Sequence, residues 1–263
     1  MKKMTKSNKQ GRGRLSQGAE VVIEGLSFGY HSDHTAIEDI SLSIKPGERF
    51  GIIGPTGAGK STLLLHLNGI LRGRGEVRIG GIKLEDKTLP KIRRRVGIVF
   101  QNPDDQLFTP TVEEDVAFGP LNFGHSTEET DGFVKDALAA FNLQGFEKLS
   151  PHHLSQGERK RVALATVMAI KPEVVALDEP FANLDPAMVQ HLIELIKGLP
   201  ATVILVSQSI IPALASCGRL AVMNRGRIVK VGPTKEIATD TKLLRSCGLD
   251  YTFYCDICKK FRS

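Results

Sequence analysis

The segment Gly54-Pro55-Thr56-Gly57-Ala58-Gly59-Lys60-Ser61-Thr62 constrains the fold more than any other part of the chain. It fits the spacing of a phosphate-binding loop, in which a glycine and four further residues precede Gly-Lys-Ser/Thr. An apolar run precedes it and a leucine-rich stretch ending at Gly69 follows it, which predicts a strand, a loop and a helix. A purely structural glycine turn is the alternative, but such a turn rarely carries Lys-Ser at a strand-to-helix junction.

The residue types in this loop suit phosphate. Glycines let backbone N–H groups point at phosphate oxygens, and the helix N-terminus adds about half a positive charge. Lys60 is predicted to contact the terminal phosphates and Ser61 to ligate Mg²⁺. The predicted nucleotide-binding residues of the loop are Gly54, Pro55, Thr56, Gly57, Ala58, Gly59, Lys60, Ser61 and Thr62.

Length and composition favour one soluble α/β unit. The 263 residues, with 41% hydrophobic side chains, suffice for one large core. No run approaches the ~18 apolar residues that span a bilayer, and no signal peptide is recognised, so we expect a cytoplasmic chain. The net charge of +6 is concentrated in residues 1–14, which hold no acid. We expect residues 1–17 to form a basic, disordered tail, and we expect no nucleic-acid partner.

Hydrophobic patterns predict the other strands of an α/β fold. Alternating runs on either side of a loop at residues 30–34 predict an antiparallel flank, and a hairpin is predicted around Asn224. The predicted strands lie at residues 21–28, 37–44, 50–53, 75–79, 96–100, 174–177 and 203–206.

The middle of the chain has a different character. No convincing strand is predicted between residues 112 and 149, and amphipathic helices follow the capping signals at Thr111 and Ser126. This predicts a helical subdomain at about residues 103–165. The whole domain is predicted at residues 18–240, and residues 241–263 are expected to form a C-terminal tail.

Two acids directly follow the buried strand predicted at residues 174–177. Asp178 stands where it can hold Mg²⁺, directly or through water, and Glu179 where it can orient an attacking water. Adjacent carboxylates otherwise cap a turn. Because ligands gather at the carboxyl ends of parallel strands, the acids favour a nucleotide site with Mg²⁺.

A third motif, Leu154-Ser155-Gln156-Gly157-Glu158, begins a predicted helix and by itself fits a simple capping box. Together with the phosphate loop and the acidic strand end, it makes the chain resemble the ATP-binding-cassette family of transport ATPases over roughly residues 20–240. The resemblance implies a P-loop core of RecA type with an antiparallel β flank and a helical subdomain. It also implies ATP and Mg²⁺ as ligands, integral membrane transport subunits as partners, and a second ATPase subunit.

The resemblance assigns roles to further residues. Tyr30 matches the aromatic side chain that stacks on adenine, and Gln101 matches the glutamine that links Mg²⁺ to the coupling surface. Residues 183–185 match a loop that contacts the second subunit. The stretch matched to the ATP of that second subunit is Ser155, Gln156 and Gly157, and the implied Mg²⁺ ligands are Ser61, Gln101 and Asp178.

The chain departs from the family pattern after the strand predicted at residues 203–206. These ATPases usually have Thr-His-Asp there, whereas this chain has Ser207-Gln208-Ser209. A glutamine amide donates a hydrogen bond toward the γ-phosphate but does not take a proton as imidazole does. With Glu179 and Gln208 as its catalytic residues, the site is expected to bind ATP and hydrolyse it slowly. A heterodimer with an ATPase subunit that keeps the histidine is therefore favoured over a homodimer.

Within the family, residues 66–71 and 99–121 resemble the ATP-binding subunits of energy-coupling-factor importers, especially the cobalt/nickel branch. This implies a peripheral subunit at the cytoplasmic face of the membrane that powers uptake of a transition-metal cation or a vitamin. Apolar side chains after Gln101 are expected either to contact the membrane subunits or to pack inside the helical subdomain. They are Leu107, Phe108, Val116, Phe118 and Leu121.

Two other functions and a metal site stay open. A soluble ATP-dependent clamp acting on DNA usually needs a long coiled-coil insertion, for which this chain has no room. A non-catalytic or slow regulatory subunit is favoured by Gln208 and disfavoured by Glu179. Cys255 and Cys258 have the two-residue gap of a zinc or redox pair, but without a second pair reduced thiols are favoured.

Overall fold

A computed structural model describes residues 18–31 and 34–249 of the chain. Two β-sheets form the framework of this part. The strands in this part are β1 (Val21–His31), β2 (His34–Ile44), β3 (Arg49–Ile53), β4 (Arg74–Ile79), β5 (Ile82–Lys83), β6 (Val96–Val99), β7 (Val174–Asp178), β8 (Thr202–Ser207), β9 (Arg219–Asn224) and β10 (Arg227–Pro233).

The two sheets differ in strand direction. The smaller sheet has the order β2-β1-β4-β5 and is antiparallel, which confirms the predicted flank. The larger sheet has the order β10-β9-β3-β8-β7-β6. Its strands β9, β3, β8, β7 and β6 run parallel, and β10 pairs antiparallel with β9. β1 continues to His31, so Tyr30 lies in a strand and the loop predicted at residues 30–34 is shorter than expected.

Helices connect the parallel strands and build a separate layer. The α-helices among the described residues are α1 (Lys60–Leu67), α2 (Leu89–Arg95), α3 (Val112–Asn122), α4 (Thr127–Ala140), α5 (Gln156–Met168), α6 (Pro186–Gly198), α7 (Ile210–Ser216), α8 (Thr234–Thr239) and α9 (Thr241–Ser246). Short 3₁₀ turns lie at Asp86–Thr88, Pro103–Asp105 and Pro151–His153. α3, α4 and α5 pack on one another, as the helical pattern of the sequence predicted.

The parallel strands of the larger sheet are buried on both faces, which explains their continuous apolar sequences. Successive residues of β7 point to opposite sides. Val174 and Ala176 join a core with α1 and the antiparallel sheet, whereas Val175 and Leu177 join a core with α3 to α9. The carboxyl end of β7 therefore emerges between two packed layers.

The chain stays packed beyond residue 240, where a tail was predicted to begin. α9 follows α8 directly, and Asp240 caps it by accepting a hydrogen bond from the Leu243 N–H at 3.1 Å. Leu244, Cys247 and Leu249 are buried in the core on the helical side of the larger sheet. Within the described ranges, no helix has the length and apolar character needed to cross a bilayer.

Candidate functional site

A cleft of about 570 Å³ opens at the carboxyl ends of β3 and β7. It lies where ligands of parallel α/β sheets usually bind. Its wall brings together most of the residues predicted to bind nucleotide, namely Tyr30, Thr56, Gly57, Ala58, Gly59, Lys60, Ser61, Thr62, Gln101, Glu179 and Gln208.

The phosphate loop is shaped by close packing against the β9–β10 hairpin. A Cβ on Gly54 would lie 2.2 Å from the Met223 carbonyl oxygen, so only glycine fits there. Gly59 has φ +98° and precedes the first residue of α1, a conformation that glycine adopts without strain. The Gly226 N–H donates to the Ala58 carbonyl at 3.0 Å. The loop is thus held against the hairpin, with Thr56 to Thr62 lining the cleft.

Lys60 is folded back onto the loop. Its Nζ donates to the carbonyl oxygens of Gly54 at 2.9 Å and Pro55 at 3.1 Å, and lies 3.6 Å from Glu179 Oε1. The side chain is buried. An ammonium at this position supplies positive charge beside the loop amides, where an anionic ligand fits.

Ser61 lines the cleft and contacts Asp178, which is not itself a lining residue, and the two side chains fit a Mg²⁺ ion. Ser61 Oγ donates to Asp178 Oδ1 at 3.0 Å. Burial raises the pKa of Asp178, and the Ser61 hydrogen bond and Lys60 oppose this effect. A hydroxyl and a carboxylate oxygen in contact are the hard ligands that Mg²⁺ prefers. Gln101 lines the same cleft.

Glu179 is a buried carboxylate fixed by several donors. The Gln208 backbone N–H donates to both of its carboxylate oxygens, at 2.8 and 3.0 Å, and Ser207 Oγ donates to Oε2 at 3.1 Å. Burial raises its pKa, opposed by the charge of Lys60. Its φ of +43° is uncommon for a residue with a side chain. The arrangement leaves a carboxylate of raised pKa beside the phosphate loop, as a general base requires.

Gln208 contacts the phosphate loop, and Tyr30 contacts the helix α1 that follows it. Gln208 Oε1 accepts a hydrogen bond from Thr56 Oγ1 at 2.9 Å. The Tyr30 hydroxyl lies 3.1 Å from Thr62 Oγ1, and its ring meets the Phe28 ring edge-on with centroids 5.1 Å apart. Gln208 therefore contacts the loop against which a γ-phosphate would bind. Tyr30 places its ring in the wall of the cleft.

The stretch Ser155, Gln156 and Gly157 does not line the cleft of its own chain. Ser155 caps α5 through a capping box: its N–H donates to Glu158 Oε2 at 2.8 Å and its Oγ accepts from the Glu158 N–H at 3.4 Å. This leaves the first N–H groups of α5 at a separate surface.

Several lining residues were not predicted. Thr35, Ala36, Arg225 and Gly226 form part of the wall. Ser207 is buried against Glu179. These residues come from β2, β8 and the β9–β10 turn, far from the phosphate loop in sequence. No local motif marks them; Ser207 is marked only by its position at the end of a predicted strand.

The apolar residues after Gln101 divide into two groups. Phe108, Phe118 and Leu121 are exposed, and the rings of Phe108 and Phe118 meet edge-on at 4.8 Å. Leu107 and Val116 follow the second expectation, packing inside the subdomain, because both are buried in the core of the helical layer. We call the exposed group, Phe108, Phe118 and Leu121, the aromatic patch.

The cysteines offer no metal site within the described ranges. Cys217 is buried, and burial raises the pKa of its thiol to about 12; Cys247 is also buried and free. No cluster of three or more His, Cys, Asp or Glu that suits a metal occurs among the described residues. Cys255 and Cys258 lie outside them.

The fold and the cleft define a P-loop nucleotide-binding protein, with a glycine loop between β3 and α1 and two acids at the end of β7. The chain belongs to the ABC transporter family, because the family model of that description matches residues 37–182, more than half of its length. It is an ATP-binding subunit of that family.

Relatives with similar sequences include ATP-binding proteins of energy-coupling factor transporters. The energy-coupling factor transporter ATP-binding protein EcfA of Methanocaldococcus jannaschii is 45% identical over 237 residues, covering 87% of this chain and 84% of that protein. The EcfA protein of Methanothermobacter thermautotrophicus is 42% identical over 248 residues, covering 92% and 80%.

Solved structures agree in fold over most of the chain. The cbiO1 protein of Clostridium perfringens, part of the ABC transporter complex cbiONQ, superposes with a TM-score of 0.78 at 34% identity, covering 91% of this chain and 98% of that one. The ATP-binding cassette MJ0796, solved as a dimer bound to ADP and Pi, superposes with a TM-score of 0.72 at 29% identity, covering 81% and 98%.

Proposed function

We propose that this chain is the ATP-hydrolysing subunit of an energy-coupling-factor type importer at the cytoplasmic face of the membrane. The observation that carries the proposal is Glu179, held by the Gln208 N–H and Ser207 and 3.6 Å from Lys60 at the phosphate loop. The similarity to two EcfA proteins and to cbiO1 supports this branch of the family. The proposed cargo is a transition-metal cation, cobalt or nickel, or a vitamin.

The residues of the cleft divide the chemistry among themselves. Lys60 exchanges its two carbonyl contacts for phosphate oxygens, and Tyr30 stacks on the base. Glu179 accepts a proton from the water that attacks the γ-phosphorus, and the bond to the β-phosphate oxygen breaks. Ser61, Asp178 and Gln101 would hold Mg²⁺, and the ion would supply positive charge to offset the negative charge that develops on the phosphate oxygens.

The partners are membrane subunits and a second ATPase subunit. The aromatic patch exposes three apolar side chains on the segment that follows Gln101. A membrane subunit bound there would respond to nucleotide binding in the cleft. The N-terminus of α5, with Ser155, Gln156 and Gly157, is proposed to close on ATP held by the second subunit.

A tagged copy of the chain, purified from membranes of its native host in mild detergent, tests this function. We expect integral membrane proteins to co-purify and the complex to hydrolyse ATP. Lys60→Met is expected to lower turnover by at least 100-fold in a complex of unchanged composition. A wild-type chain that purifies without membrane partners and without ATPase activity would overturn the proposal.

Gln208 favours a second form of this function, in which the chain provides the slow site of an asymmetric pair. Its amide accepts a hydrogen bond from Thr56 and has no basic nitrogen, so it binds near the γ-phosphate without exchanging a proton there. The partner ATPase subunit, with a histidine at this place, then carries most of the turnover.

Restoring the histidine tests the slow site. We expect Gln208→His to raise the ATPase rate of the purified chain by about tenfold, part of the 10²–10³ that one preorganised donor is worth. Gln208→Asn, which keeps an amide, is the matched control and is expected to give no gain. An unchanged rate in Gln208→His would show that glutamine serves adequately and remove the argument for an unequal pair.

A further inference from the structure

Lys160, in the second turn of α5, carries a buried ammonium whose bonding is unusual. Nζ donates to three backbone carbonyls of one loop, at 2.7 Å to Ala182, 2.9 Å to Pro180 and 3.4 Å to Glu179. Among the described residues it forms no ion pair with a carboxylate, although it is only 6% exposed. All three N–H donors therefore serve the loop that follows β7.

This bonding keeps a charge where burial opposes it. Burial lowers the pKa of Lys160 to about 8, and the Glu179 carboxylate acts in the other direction. A buried charge is costly unless its donors are satisfied, and here the backbone alone satisfies them. A methionine would fill the same space without that cost, so a charged donor at this position needs a reason beyond packing.

The loop that Lys160 holds is not relaxed. Glu179 and Asn183 both have left-handed backbone conformations, with φ of +43° and +59°. Such residues persist where the surrounding structure holds them. The loop leads into Asp185, whose Oδ1 accepts from the Met188 N–H at 2.9 Å and caps α6. Without Lys160, three carbonyls between these two strained positions would lose a donor.

We propose that Lys160 is a positioning residue that joins the start of α5 to the Glu179–Asp185 loop. The proposal rests on the proposed function, in which Glu179 is the base for hydrolysis of the chain's own ATP. In that function the α5 N-terminus binds the ATP of the second subunit. Because Lys160 lies five residues after Ser155, a movement of the α5 N-terminus reaches the backbone of Glu179 directly. The two ATP sites of the pair are thereby linked through one side chain of each subunit.

Two readouts on the purified complex test this link. Hydrogen exchange of the peptide covering residues 179–185, measured without nucleotide, is expected to be at least tenfold faster in Lys160→Met. Turnover is expected to fall 10- to 100-fold while the KM for ATP stays within threefold, because the phosphate loop is untouched. Lys171→Met is the matched control, since Lys171 lies just past the other end of α5, and both readouts are expected to stay at wild-type values.

Unchanged exchange in Lys160→Met would overturn the proposal, and so would faster exchange with wild-type turnover. Absence of ATPase activity in the wild-type complex would instead overturn the proposed function, since the exchange measurement does not depend on hydrolysis.

The pH profile separates positioning from packing. When pH rises through about 8, Lys160 loses a proton and keeps two N–H donors for three carbonyls. Glu179 is the charged group that acts on it, and Lys60 lies on the far side of that carboxylate. Wild-type turnover is expected to fall with a midpoint near pH 8, and Lys160→Arg, which stays charged, is expected to keep its rate to above pH 10. The same alkaline midpoint in the wild type and in Lys160→Arg would overturn the proposal. This comparison does not require Lys160→Met, so it tests the proposal even if that variant fails to fold.

Discussion

Tyr30 and the aromatic patch both expose aromatic rings, but their surroundings differ. Tyr30 is 52% exposed, stands on the Phe28 ring, and faces a cleft rich in backbone donors and charged groups. Phe108 and Phe118 are 63% and 47% exposed, meet edge-on, and have Leu121 as an exposed neighbour in the patch.

The difference indicates two kinds of ligand. One ring beside polar groups suits a flat small molecule whose other end carries charge. Three adjacent apolar side chains suit a protein surface, where clustered aromatic residues supply much of the binding energy. Changes in the cleft are therefore expected to alter catalysis and nucleotide affinity, and changes in the patch to alter assembly.

Glu179→Gln is expected to have the largest effect. The amide keeps the size of the side chain but does not accept the proton, so turnover is expected to fall by at least 100-fold while ATP affinity stays within about threefold. Steady-state kinetics and equilibrium binding measure the two quantities. Glu194→Gln, an exposed position on α6, is the control. Wild-type turnover at this site would remove Glu179 as the base.

The same residue predicts a pH dependence. Because burial raises the pKa of Glu179, its carboxylate becomes protonated at a higher pH than an ordinary glutamate. Turnover is then expected to fall on the acidic side with a midpoint above the usual glutamate range, since only the deprotonated form accepts a proton. A profile that is flat down to the ordinary range would contradict this.

Phe118→Asp tests the patch. Loss of one aromatic contact and burial of a charge are expected to weaken assembly with the membrane subunits by about 30-fold, the effect of a typical interface hot spot. The isolated variant is expected to stay folded and bind ATP. Val229→Asp, half-exposed on β10, is the control. Intact assembly in Phe118→Asp would place the contact elsewhere, and Leu107→Asp is unsuitable because its side chain is buried.

Tyr30→Ala is expected to raise the Kd for ATP by about tenfold, because stacking of an aromatic ring on a base contributes about 1–3 kcal/mol. Tyr30→Phe keeps the ring and loses only the contact with Thr62, so its Kd is expected to stay within about twofold. Isothermal titration measures both. Equal losses in the two variants would show that the hydroxyl, and not the ring, contributes the affinity.

The smallest effect is expected at Asp115, which holds the start of the patch. Its Oδ1 accepts from the N–H groups of Phe108 and Thr109, at 3.1 and 3.2 Å, and its buried Oδ2 has no partner among the described residues. Burial raises the pKa of Asp115, so the folded state favours the protonated acid. Its contribution to stability is therefore present at low pH and lost as pH rises through the folded pKa.

Asp115→Asn is expected to remove this pH dependence. As pH rises from the ordinary pKa of an aspartate through the raised pKa of the folded state, the wild type is expected to lose unfolding free energy that the variant keeps, as measured by chemical denaturation. Asp131→Asn, on the exposed face of α4, is the control. Parallel pH curves for wild type and Asp115→Asn would contradict the assigned cause.

Local patterns in the sequence predicted the parts of the site that lie on one stretch of chain. The loop ending in Lys60-Ser61, and the pair Asp178-Glu179, are recognisable because their spacing and their strand context are local. The donors to Glu179 were not predicted: Ser207 and the Gln208 N–H reach it only because β8 lies between β3 and β7 in the larger sheet. Strand order is a long-range property.

Hydrophobicity also left exposure undecided. Leu107 and Phe108 are neighbours and equally apolar, yet one is 3% and the other 63% exposed. The turn after Pro103–Asp105 and the packing of α3 on α5 decide which of the two points inward. A sequence pattern identifies an apolar segment but does not state what covers each side chain.

The sequence by itself determined the phosphate loop, the acidic strand end, the capped helices and the two-sided burial of the parallel strands, because backbone geometry and side-chain period act over a few residues. Only the tertiary structure decided that Tyr30 lies in β1, that Leu107 and Val116 are core, and that Lys160 bonds three carbonyls about 20 residues away. Each of these depends on which elements pack together, and packing depends on the whole set of apolar surfaces that fold at once.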